Sequence, residues 1–401
     1  MGIKSKLTYK NTITAGYLGY ITQSIVNNLA PLLFLIFRDS FGISLEKITS
    51  LTALNFLLQL CVDFLSAKFV DRIGYRKSIV AAHLFSAAGL IGMSVFPFVL
   101  GNAYAGLLLA LALYAVGGGL IEVLISPIVE ACATDNKASA MSLLHSFYCW
   151  GTVAVILLST LFLKVAGKQS WRVLPILWAL LPLFNALYFS LVPIARLTEE
   201  NEGMSIKDLA RSKLFWIFIL LMIASGASEQ GMSQWASAFA ESGLHISKTA
   251  GDICCPCLFS ILMGLARVFY AKYGEKKDLT YFLVGTGMLC VFSYLLASFS
   301  PVPALSLAGC ALCGLSVGLM WPGVFCIASG SMPTGGTALF ALLALAGDLG
   351  CSAGPTVVGF AAGLMGDELK KGLPFAVVFP VIMIVCACIF RKMRKSDKYR
   401  L

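Results

Sequence analysis

The chain has 401 residues, of which 58% are apolar and only 12% are charged, and its formal net charge is +10. A soluble domain carries about 25% charged residues, so a water-soluble protein of this length would lack the polar residues needed to cover its surface. The composition therefore excludes a soluble globular protein and predicts a chain that is embedded in lipid.

Apolar segments long enough to cross a bilayer, about 20 residues each, recur along the whole sequence. Each segment is predicted to be a helix, because backbone polar groups in lipid must be satisfied within the segment. The predicted helices cover residues 12–37, 48–69, 78–99, 103–129, 139–163, 172–195, 214–240, 247–271, 279–299, 302–329, 337–365 and 373–390. The sequence thus predicts an all-α polytopic membrane protein with twelve transmembrane helices.

The distribution of Lys and Arg predicts the orientation, because cytoplasmic loops are enriched in both residues. With both termini in the cytoplasm, 22 of the 30 basic residues lie on the cytoplasmic side and 8 lie outside. The positive net charge is therefore an orientation signal, and no nucleic-acid partner is predicted. The basic tail at 391–400 is predicted to lie against anionic lipid. The first apolar stretch is too long for a cleaved signal peptide, so a multi-pass protein of the plasma membrane, of the bacterial inner-membrane type, is predicted.

The thirteen cysteines lie almost entirely within predicted helices, where a free cysteine behaves as a small apolar residue. The C-x-x-C spacing in "CCPC" (254–257) has no second pair nearby, as a zinc site would require. This pattern favours packing around a kink at Pro256 over redox or metal chemistry. Neither a metal nor another cofactor is predicted.

A charged loop, "FVDRIGYRKS" (69–78), separates the second and third predicted helices. A related run, "VFYAKYGEKKD", occupies 268–278 at the corresponding place in the second half, where Ala271 replaces Asp71. The polar segment 196–213 divides the helices six to six. The predicted organisation is a six-helix bundle at 1–195, an inter-bundle loop at 196–213, and a second six-helix bundle with a basic tail at 214–401.

This duplicated six-helix half resembles the major facilitator transporters, and "SAKFVDRIGYRK" is similar to the loop signature of that superfamily. The resemblance implies two pseudo-symmetric bundles, and a charged loop that latches them on the cytoplasmic side without selecting the substrate. The residues concerned are Asp71, Arg72, Gly74, Arg76 and Lys77. The alternative, a basic anchor on the cytoplasmic side, explains the bases but not Asp71 and Gly74.

Acidic residues inside the predicted helices are informative because a charge at a helix centre costs roughly 2.5–3.5 kcal/mol on insertion scales. Four of them stand out: Asp63, Glu122, Glu229 and Asp348. Asp63 is close to the charged loop and is predicted to belong to its network. Asp348 lies among glycines, which permit close helix contact, and a structural hydrogen bond is predicted for it.

Glu122 shares one stripe of the fourth helix with Ser126 and Glu130, at spacings of four residues. The glycines at 117–119 and Pro127 are interpreted as loosening that helix where a substrate approaches. The seventh helix carries a similar stripe, Ser225, Glu229, Ser233 and Ser237. The alternative is that these polar side chains only bond helices to one another.

The superfamily resemblance implies that helices one, four, seven and ten line a central cavity. The candidate substrate-binding residues on them are Gln23, Asn27, Asn28, Ser126, Gln230, Gln234, Trp235 and Trp321. Amides, carboxylates and aromatic faces suit the hydroxyl groups and rings of a sugar. No basic residue is placed mid-membrane, with Arg267 expected near an inner helix end, which disfavours an organic anion. Export of a lipophilic cation by proton antiport is the alternative.

Within the superfamily, "GGGLIEVLISP" (117–127), "LLHSFYCWG" (143–151) and "GASEQGMSQW" (226–235) resemble the fucose–galactose–glucose proton symporters. That branch implies proton coupling, for which Glu122 is the first candidate, with Glu229 and His145 as further ones. The acid that those symporters carry in helix one is absent from "NNLAPLLF" (27–34). Sodium coupling is the alternative.

No phosphate-binding G-x-x-x-x-G-K-[ST] motif occurs in the sequence, so ATP is not expected to drive transport. The three histidines are far apart, and no enzymatic activity is predicted. The remaining alternatives are an intramembrane enzyme and a receptor that does not transport. The expected partners are a small-molecule substrate, protons and the lipid bilayer, and the protein is expected to be a monomer.

Overall fold

The computed structural model describes residues 7–43, 45–132, 137–195, 203–236, 239–240, 248–273, 278–365 and 368–398. Over these ranges the chain is almost entirely helical and contains no strand. The long helices are α1 (Tyr9–Phe41), α2 (Leu45–Ile73), α3 (Tyr75–Val99), α4 (Ala103–Ala131), α5 (Lys137–Ala166), α6 (Val173–Leu191), α7 (Lys213–Ser233), α8 (Lys248–Tyr273), α9 (Leu279–Phe299), α10 (Pro303–Ser331), α11 (Gly336–Leu364) and α12 (Val378–Lys398). The predicted all-α polytopic architecture is confirmed.

Nine segments in the described part of the chain are long and apolar enough to cross a membrane. The helices outside that group are α1, α2 and α8, and each of them carries polar or charged side chains that are buried in the protein. Each of the three also contains residues whose side chains lie outside the described part of the chain, and the apolar segments predicted from the sequence at 12–37, 48–69 and 247–271 include them.

Two helices depart from their predicted form. The seventh span was expected to reach residue 240, but α7 ends at Ser233 and a turn follows at residues 234–235. The tenth span is interrupted by a turn at 318–319. Pro322 explains that interruption, because proline has no amide hydrogen to bond the carbonyl four residues earlier.

The chain forms two compact units. Unit 1 contains residues 1–135, 147–203 and 336–341, and unit 2 contains residues 136–146, 204–335 and 342–401. The first residues of α5 therefore group with unit 2, and the first residues of α11 group with unit 1. The bundle boundaries inferred from the sequence stay a prediction.

In unit 1, α4 packs closely on α3 because glycines remove the side chains that would keep the two helices apart. A Cβ atom at Gly89 would lie 2.5 Å from the Tyr114 nitrogen, and one at Gly117 would lie 2.5 Å from the Ala82 carbonyl oxygen. The helix runs without a break through residues 117–119 and Pro127. Gly117 thus serves contact with a neighbouring helix, and the interpretation that these residues loosen α4 stays a prediction.

The charged loop turns at Gly74, whose φ of +91° lies in the region that favours glycine. Arg76 Nη1 donates to the Phe189 and Ser190 carbonyl oxygens at 2.8 and 3.0 Å, which satisfies carbonyls at the end of α6. The Tyr75 hydroxyl bonds the Thr337 hydroxyl within unit 1. Arg72 and Lys77 are exposed. The Asp71 side chain and the second copy of the motif, at 274–277, lie outside the described residues.

We expect Gly74→Ala to destabilise the folded protein by about 1–3 kcal/mol, because a Cβ atom strains a backbone with this φ. The measurement is the thermal unfolding midpoint in detergent. Gly330→Ala is the matched control, since Gly330 is a helical glycine with no described atom within 4 Å of a built Cβ. Equal midpoints for the Gly74 variant and the unmodified protein would contradict the expectation.

Candidate functional site

A cluster of amide side chains surrounds Glu122 in unit 1, and it is called the amide cluster below. Its members come from α1, α2 and α4: Gln23, Asn27, Asn55, Gln59 and Glu122. Gln23 Nε2 donates to Glu122 Oε2 at 3.0 Å. Gln59 Nε2 donates to Asn27 Oδ1 at 2.9 Å and to Asn55 Oδ1 at 3.1 Å. The contact of Gln23 Nε2 with Gln59 Oε1, at 3.4 Å, joins the two pairs.

The amide cluster has a buried side and an accessible side. Gln23, Gln59 and Asn55 are 2%, 1% and 6% exposed, respectively, whereas Asn27 and Glu122 are half-buried. Among the described residues, the Gln23 Oε1 atom is buried and has no hydrogen-bond partner. An unsatisfied buried acceptor costs about 1–3 kcal/mol, so this atom favours a donor brought by a ligand or by a protonated neighbour.

Two glycines of α4 allow that helix to approach the amide cluster. A Cβ atom at Gly118 would lie 3.1 Å from Gln23 Oε1 and 3.4 Å from Gln59 Nε2. One at Gly119 would lie 3.2 Å from the Gln59 Cα. Gly117 thus allows close contact with α3, and Gly118 and Gly119 allow close contact with α1 and α2. Residues 118 and 119 set the distance between Glu122 and the amides.

The polar stripe of α4 faces α1. Ser126 Oγ lies 2.8 Å from the Tyr20 hydroxyl oxygen, and Glu122 is bonded to Gln23. Asn28, on another face of α1, donates to the Ser24 carbonyl oxygen at 2.9 Å. The structure therefore brings Gln23, Asn27 and Glu122 together and directs Asn28 elsewhere.

Sequence reasoning missed Asn55 and Gln59 as members of this site. A signal was present, because Asn55, Gln59 and Asp63 recur every fourth residue along α2 and so share one face. Asp63 is fully buried. A stripe of this kind in an apolar helix indicates a polar neighbour but does not say which helix supplies it.

Unit 2 contains a buried arginine and its partners, called the arginine cluster below. Arg267 Nη2 lies 3.8 Å from Glu229 Oε2, and the two side chains are 4% and 12% exposed. Arg267 Nε donates to the Gly318 carbonyl oxygen, and Nη1 donates to the His145 carbonyl oxygen, both at 2.7 Å. One guanidinium therefore joins α5, α7, α8 and α10.

Pro322 explains why the Gly318 carbonyl is open to a side chain. The helical donor for that oxygen would be the amide of residue 322, which proline lacks. Arg267 supplies a charged donor instead, and charge-assisted hydrogen bonds are stronger than neutral ones. The Trp–Pro pair in α10 thus creates an acceptor for the arginine.

The sequence-based prediction places Arg267 near an inner helix end and does not anticipate the burial of its side chain. In the structure α8 continues past Arg267 to Tyr273, and the arginine side chain is buried. The Glu229 carboxylate on α7 compensates the buried charge of Arg267, since a buried charge needs a partner. The signal in the sequence was a lone base within the apolar run "ILMGLARVFY".

The other candidates of α7 are divided between two environments. Gln230 Nε2 lies 3.4 Å from Glu229 Oε1, and Ser233 donates to Gln230 Oε1 at 3.2 Å. Trp235 Nε1 donates to the Pro355 carbonyl oxygen at 2.9 Å. Gln234 is exposed, and Ser237 lies outside the described residues. Gln230 thus joins the arginine cluster, whereas Trp235 packs against α11.

The remaining candidates are buried in unit 2. The Trp321 ring covers Gly347, where a Cβ atom would lie 2.2 Å from the indole, and it meets Phe325 edge-on at 6.2 Å. The His145 ring centroid is 5.9 Å from that of Phe325. Asp348 is 7% exposed.

The "CCPC" motif belongs to α8. Cys255 and Cys257 are buried, and Cys255 packs with Ala236 and Ala240. The side chains at 254 and 256 lie outside the described residues.

Several solved structures have a similar fold. FucP in the outward conformation matches with a TM-score of 0.81 and 14% identity over 95% of this chain and 99% of that chain. The E. coli FucP is described as a fucose:proton symporter. The proton:xylose symporter XylE matches with a TM-score of 0.80 and 12% identity over 96% of this chain and 95% of that one. The human organic anion transporter MFSD10 matches with a TM-score of 0.74 and 14% identity over 94% and 99% of the two chains.

Sequence comparison gives the family. The membrane protein MosC of Rhizobium meliloti is 24% identical over 323 residues, which are 80% of this chain and 76% of MosC. The model of the Major Facilitator Superfamily matches residues 16–355. Because that match covers most of a chain that has the corresponding fold, the protein is a multi-pass membrane transporter of the Major Facilitator Superfamily.

Proposed function

We propose that the protein is a secondary transporter that moves a small polar solute, a sugar or a sugar-like compound, and couples its movement to protons. The observation that carries this proposal is the hydrogen bond between the half-buried Glu122 and the buried Gln23. A carboxyl group and several amides offer donors and acceptors in one place, as a hydroxyl-rich solute requires. The structural similarity to FucP, a fucose:proton symporter, and to XylE, a proton:xylose symporter, supports the same substrate class.

The Gln23–Glu122 pair can accommodate both protonation states of the carboxyl group. An ionised carboxylate only accepts, and it is bonded to the Gln23 Nε2 donor. A protonated carboxyl also donates, and rotation of the Gln23 amide would present Oε1, which has no partner among the described residues. Glu122 can therefore keep a hydrogen bond to Gln23 in either protonation state, while the rotation gives up the contact between Gln23 Nε2 and Gln59 Oε1.

Coupling follows if the solute binds only one of these states. A solute hydroxyl that bonds the amide cluster must match the donors and acceptors that the Gln23–Glu122 pair presents. If the solute binds the protonated state, the proton raises the affinity for the solute and the solute raises the affinity for the proton by the same factor. Glu122 carries the proton in this proposal, with Glu229 and His145 as the further candidates, and Asn27 and Gln59 complete the solute contacts.

The arginine cluster bears on the charge of the solute. The Arg267 guanidinium is engaged by Glu229 and by two carbonyl oxygens, so its charge is balanced within unit 2. A balanced cation offers little attraction to an anion, and this favours a neutral solute.

Transport of an organic anion is the second candidate function, and the buried Arg267 is the observation that favours it. MFSD10, which is described as an organic anion transporter, shares the fold. Arg267 would be available to an anionic solute if Glu229 took up a proton. Breaking a buried ion pair in this way costs several kcal/mol, so the neutral solute is preferred.

The proposal includes a location and an orientation. The protein acts in the plasma membrane as a monomer with both termini in the cytoplasm, consistent with the distribution of its basic residues. The charged loop around Gly74 serves the change between outward-facing and inward-facing states and leaves substrate selection to the helices.

We expect Glu122→Gln to abolish accumulation driven by a proton gradient and to retain counterflow exchange of substrate. Glutamine imitates the protonated carboxyl, so the solute can still bind while no proton is carried. The measurement is uptake against counterflow in vesicles with an imposed pH gradient. Glu229→Gln is the comparison variant. Accumulation by the Glu122 variant together with its loss in the Glu229 variant would move the coupling role to α7.

We expect alanine at Gln23, Asn27 or Gln59 to weaken solute binding by roughly 1–3 kcal/mol each, as the loss of a buried polar partner does. Isothermal titration or a thermal-shift titration with a panel of sugars measures this. Asn11→Ala is the control, because Asn11 is on α1 and donates to the Tyr188 hydroxyl, away from the cluster. Unchanged affinity in all three variants would leave these amides with a purely structural role.

We expect Glu229→Gln to leave sugar affinity unchanged and to create no preference for an acidic sugar such as a uronate. The comparison is binding of the neutral sugar and its uronate to both proteins. Arg267→Gln alone should destabilise the protein by about 3–5 kcal/mol, since it leaves Glu229 buried without a cation. Tighter uronate binding by the Glu229 variant would favour the organic-anion function.

A further inference from the structure

A groove lies along one face of α9, outside the two clusters described above. It has a volume of 470 Å³ and is lined by Asp278, Tyr281, Phe282, Gly285, Thr286 and Leu289. The lining residues recur at three- and four-residue intervals, so one helical face forms the groove. It is called the α9 groove below.

The α9 groove is open at its middle and faces the lipid side of the helix. No described atom lies within 4 Å of a Cβ atom built on Gly285. Tyr281 is 55% exposed, and Met288 and Phe292, farther along α9, are 57% and 54% exposed. Exposed apolar side chains of this size at a membrane-spanning helix are in contact with acyl chains.

Aromatic contacts link α8 and α12, two neighbours of α9, to the end of the groove at Asp278 and Tyr281. This end is called the mouth of the groove below. The Phe282 ring meets Tyr270 of α8 edge-on with 5.1 Å between the ring centroids. The Arg391 guanidinium of α12 lies 4.0 Å from the centroid of the Tyr281 ring and also donates to the Tyr281 hydroxyl. A cation is thus held directly over the aromatic entrance.

The mouth of the groove carries an excess of positive charge. Arg394 pairs with Asp278, and Lys392 is exposed between the two arginines. The described residues at this end thus include three bases, Arg391, Lys392 and Arg394, and one acid, Asp278. A guanidinium has five N–H donors, and the interactions above engage one terminal nitrogen of each arginine, so further donors are available to a ligand.

Asp278 is the one acid at this mouth, and it caps α9 by accepting from the Thr280 amide at 3.0 Å. Partial burial acts to raise the pKa of Asp278, but the hydrogen bond from Thr280 and the charge of Arg394 lower it below the usual aspartate value. Asp278 is therefore ionised at neutral pH and subtracts one charge from the local excess.

We propose that the α9 groove binds an anionic phospholipid, with its phosphate at Arg391 and Arg394 and an acyl chain along Gly285 and Leu289. Charge complementarity selects this occupant, since the groove is apolar along its length and basic at one end. Basic pockets between transmembrane helices are known sites for anionic headgroups. In the proposed orientation, this end faces the cytoplasmic leaflet, which is rich in such lipids.

The test is native mass spectrometry of the full-length protein titrated with phosphatidylglycerol and with phosphatidylcholine of the same acyl chains. The unmodified protein is expected to retain phosphatidylglycerol preferentially. Arg391→Gln combined with Arg394→Gln should weaken that binding about five-fold for each charge removed. Gly285→Trp should fill the groove and abolish binding of both lipids at the site.

Asp278→Asn separates a binding role from a structural one. Asparagine still caps the helix, and removal of the negative charge should strengthen phosphatidylglycerol binding about five-fold. A merely structural Asp278–Arg394 pair would give no such increase.

The controls are Lys207→Gln, an exposed base in the short helix Ile206–Arg211, and Gly330→Trp, an exposed helical glycine with open space. Both should retain phosphatidylglycerol as the unmodified protein does. Equal retention of the two phospholipids by the unmodified protein would overturn the proposal. So would undiminished phosphatidylglycerol binding by the double arginine variant and by Gly285→Trp, or an absence of strengthening in Asp278→Asn.

Discussion

A polar side chain that enters the membrane must find its partners inside the protein, and both candidate clusters depend on this constraint. Water is not available to satisfy a buried amide or charge in the hydrocarbon region. In unit 1 the partners are other side chains, so Gln23, Gln59 and Glu122 form one connected set. In unit 2, Arg267 lies beside the Glu229 carboxylate and donates to two backbone carbonyls.

Small residues make these partnerships possible. Gly118 and Gly119 let α4 approach the amides of α1 and α2. In unit 2, Gly226, Gly350 and Gly354 remove the side chains between α7 and α11, where built Cβ atoms would lie 2.1–2.3 Å from backbone oxygens of the facing helix. Close backbone contact replaces the hydrophobic driving force that is absent between helices in lipid. The glycines therefore help to position Glu122 and Glu229 beside their partners.

The two clusters also differ in how much they can respond to a ligand. The amide cluster contains neutral groups that can exchange donors and acceptors by rotation, and Glu122 is partly accessible. The arginine cluster is a buried ion pair reinforced by two short hydrogen bonds, and removing one partner leaves an uncompensated charge. For this reason the proposed exchange of protons and solute is located in the amide cluster, and the arginine cluster is regarded as the more rigid of the two.

The sequence by itself determined the membrane class, the helical architecture, the superfamily and the polar stripe that contains Glu122. These follow from hydropathy, from spacing along single helices and from the "FVDRIGYRKS" loop, all of which are local properties. Only the tertiary structure decided which helices share partners. Asn55 and Gln59 join Glu122 because α2 packs beside α1 and α4, and Arg267 is buried because Glu229 and the carbonyl left open by Pro322 meet it. Contacts between residues distant in the chain depend on how the helices pack, and no single helix carries that information.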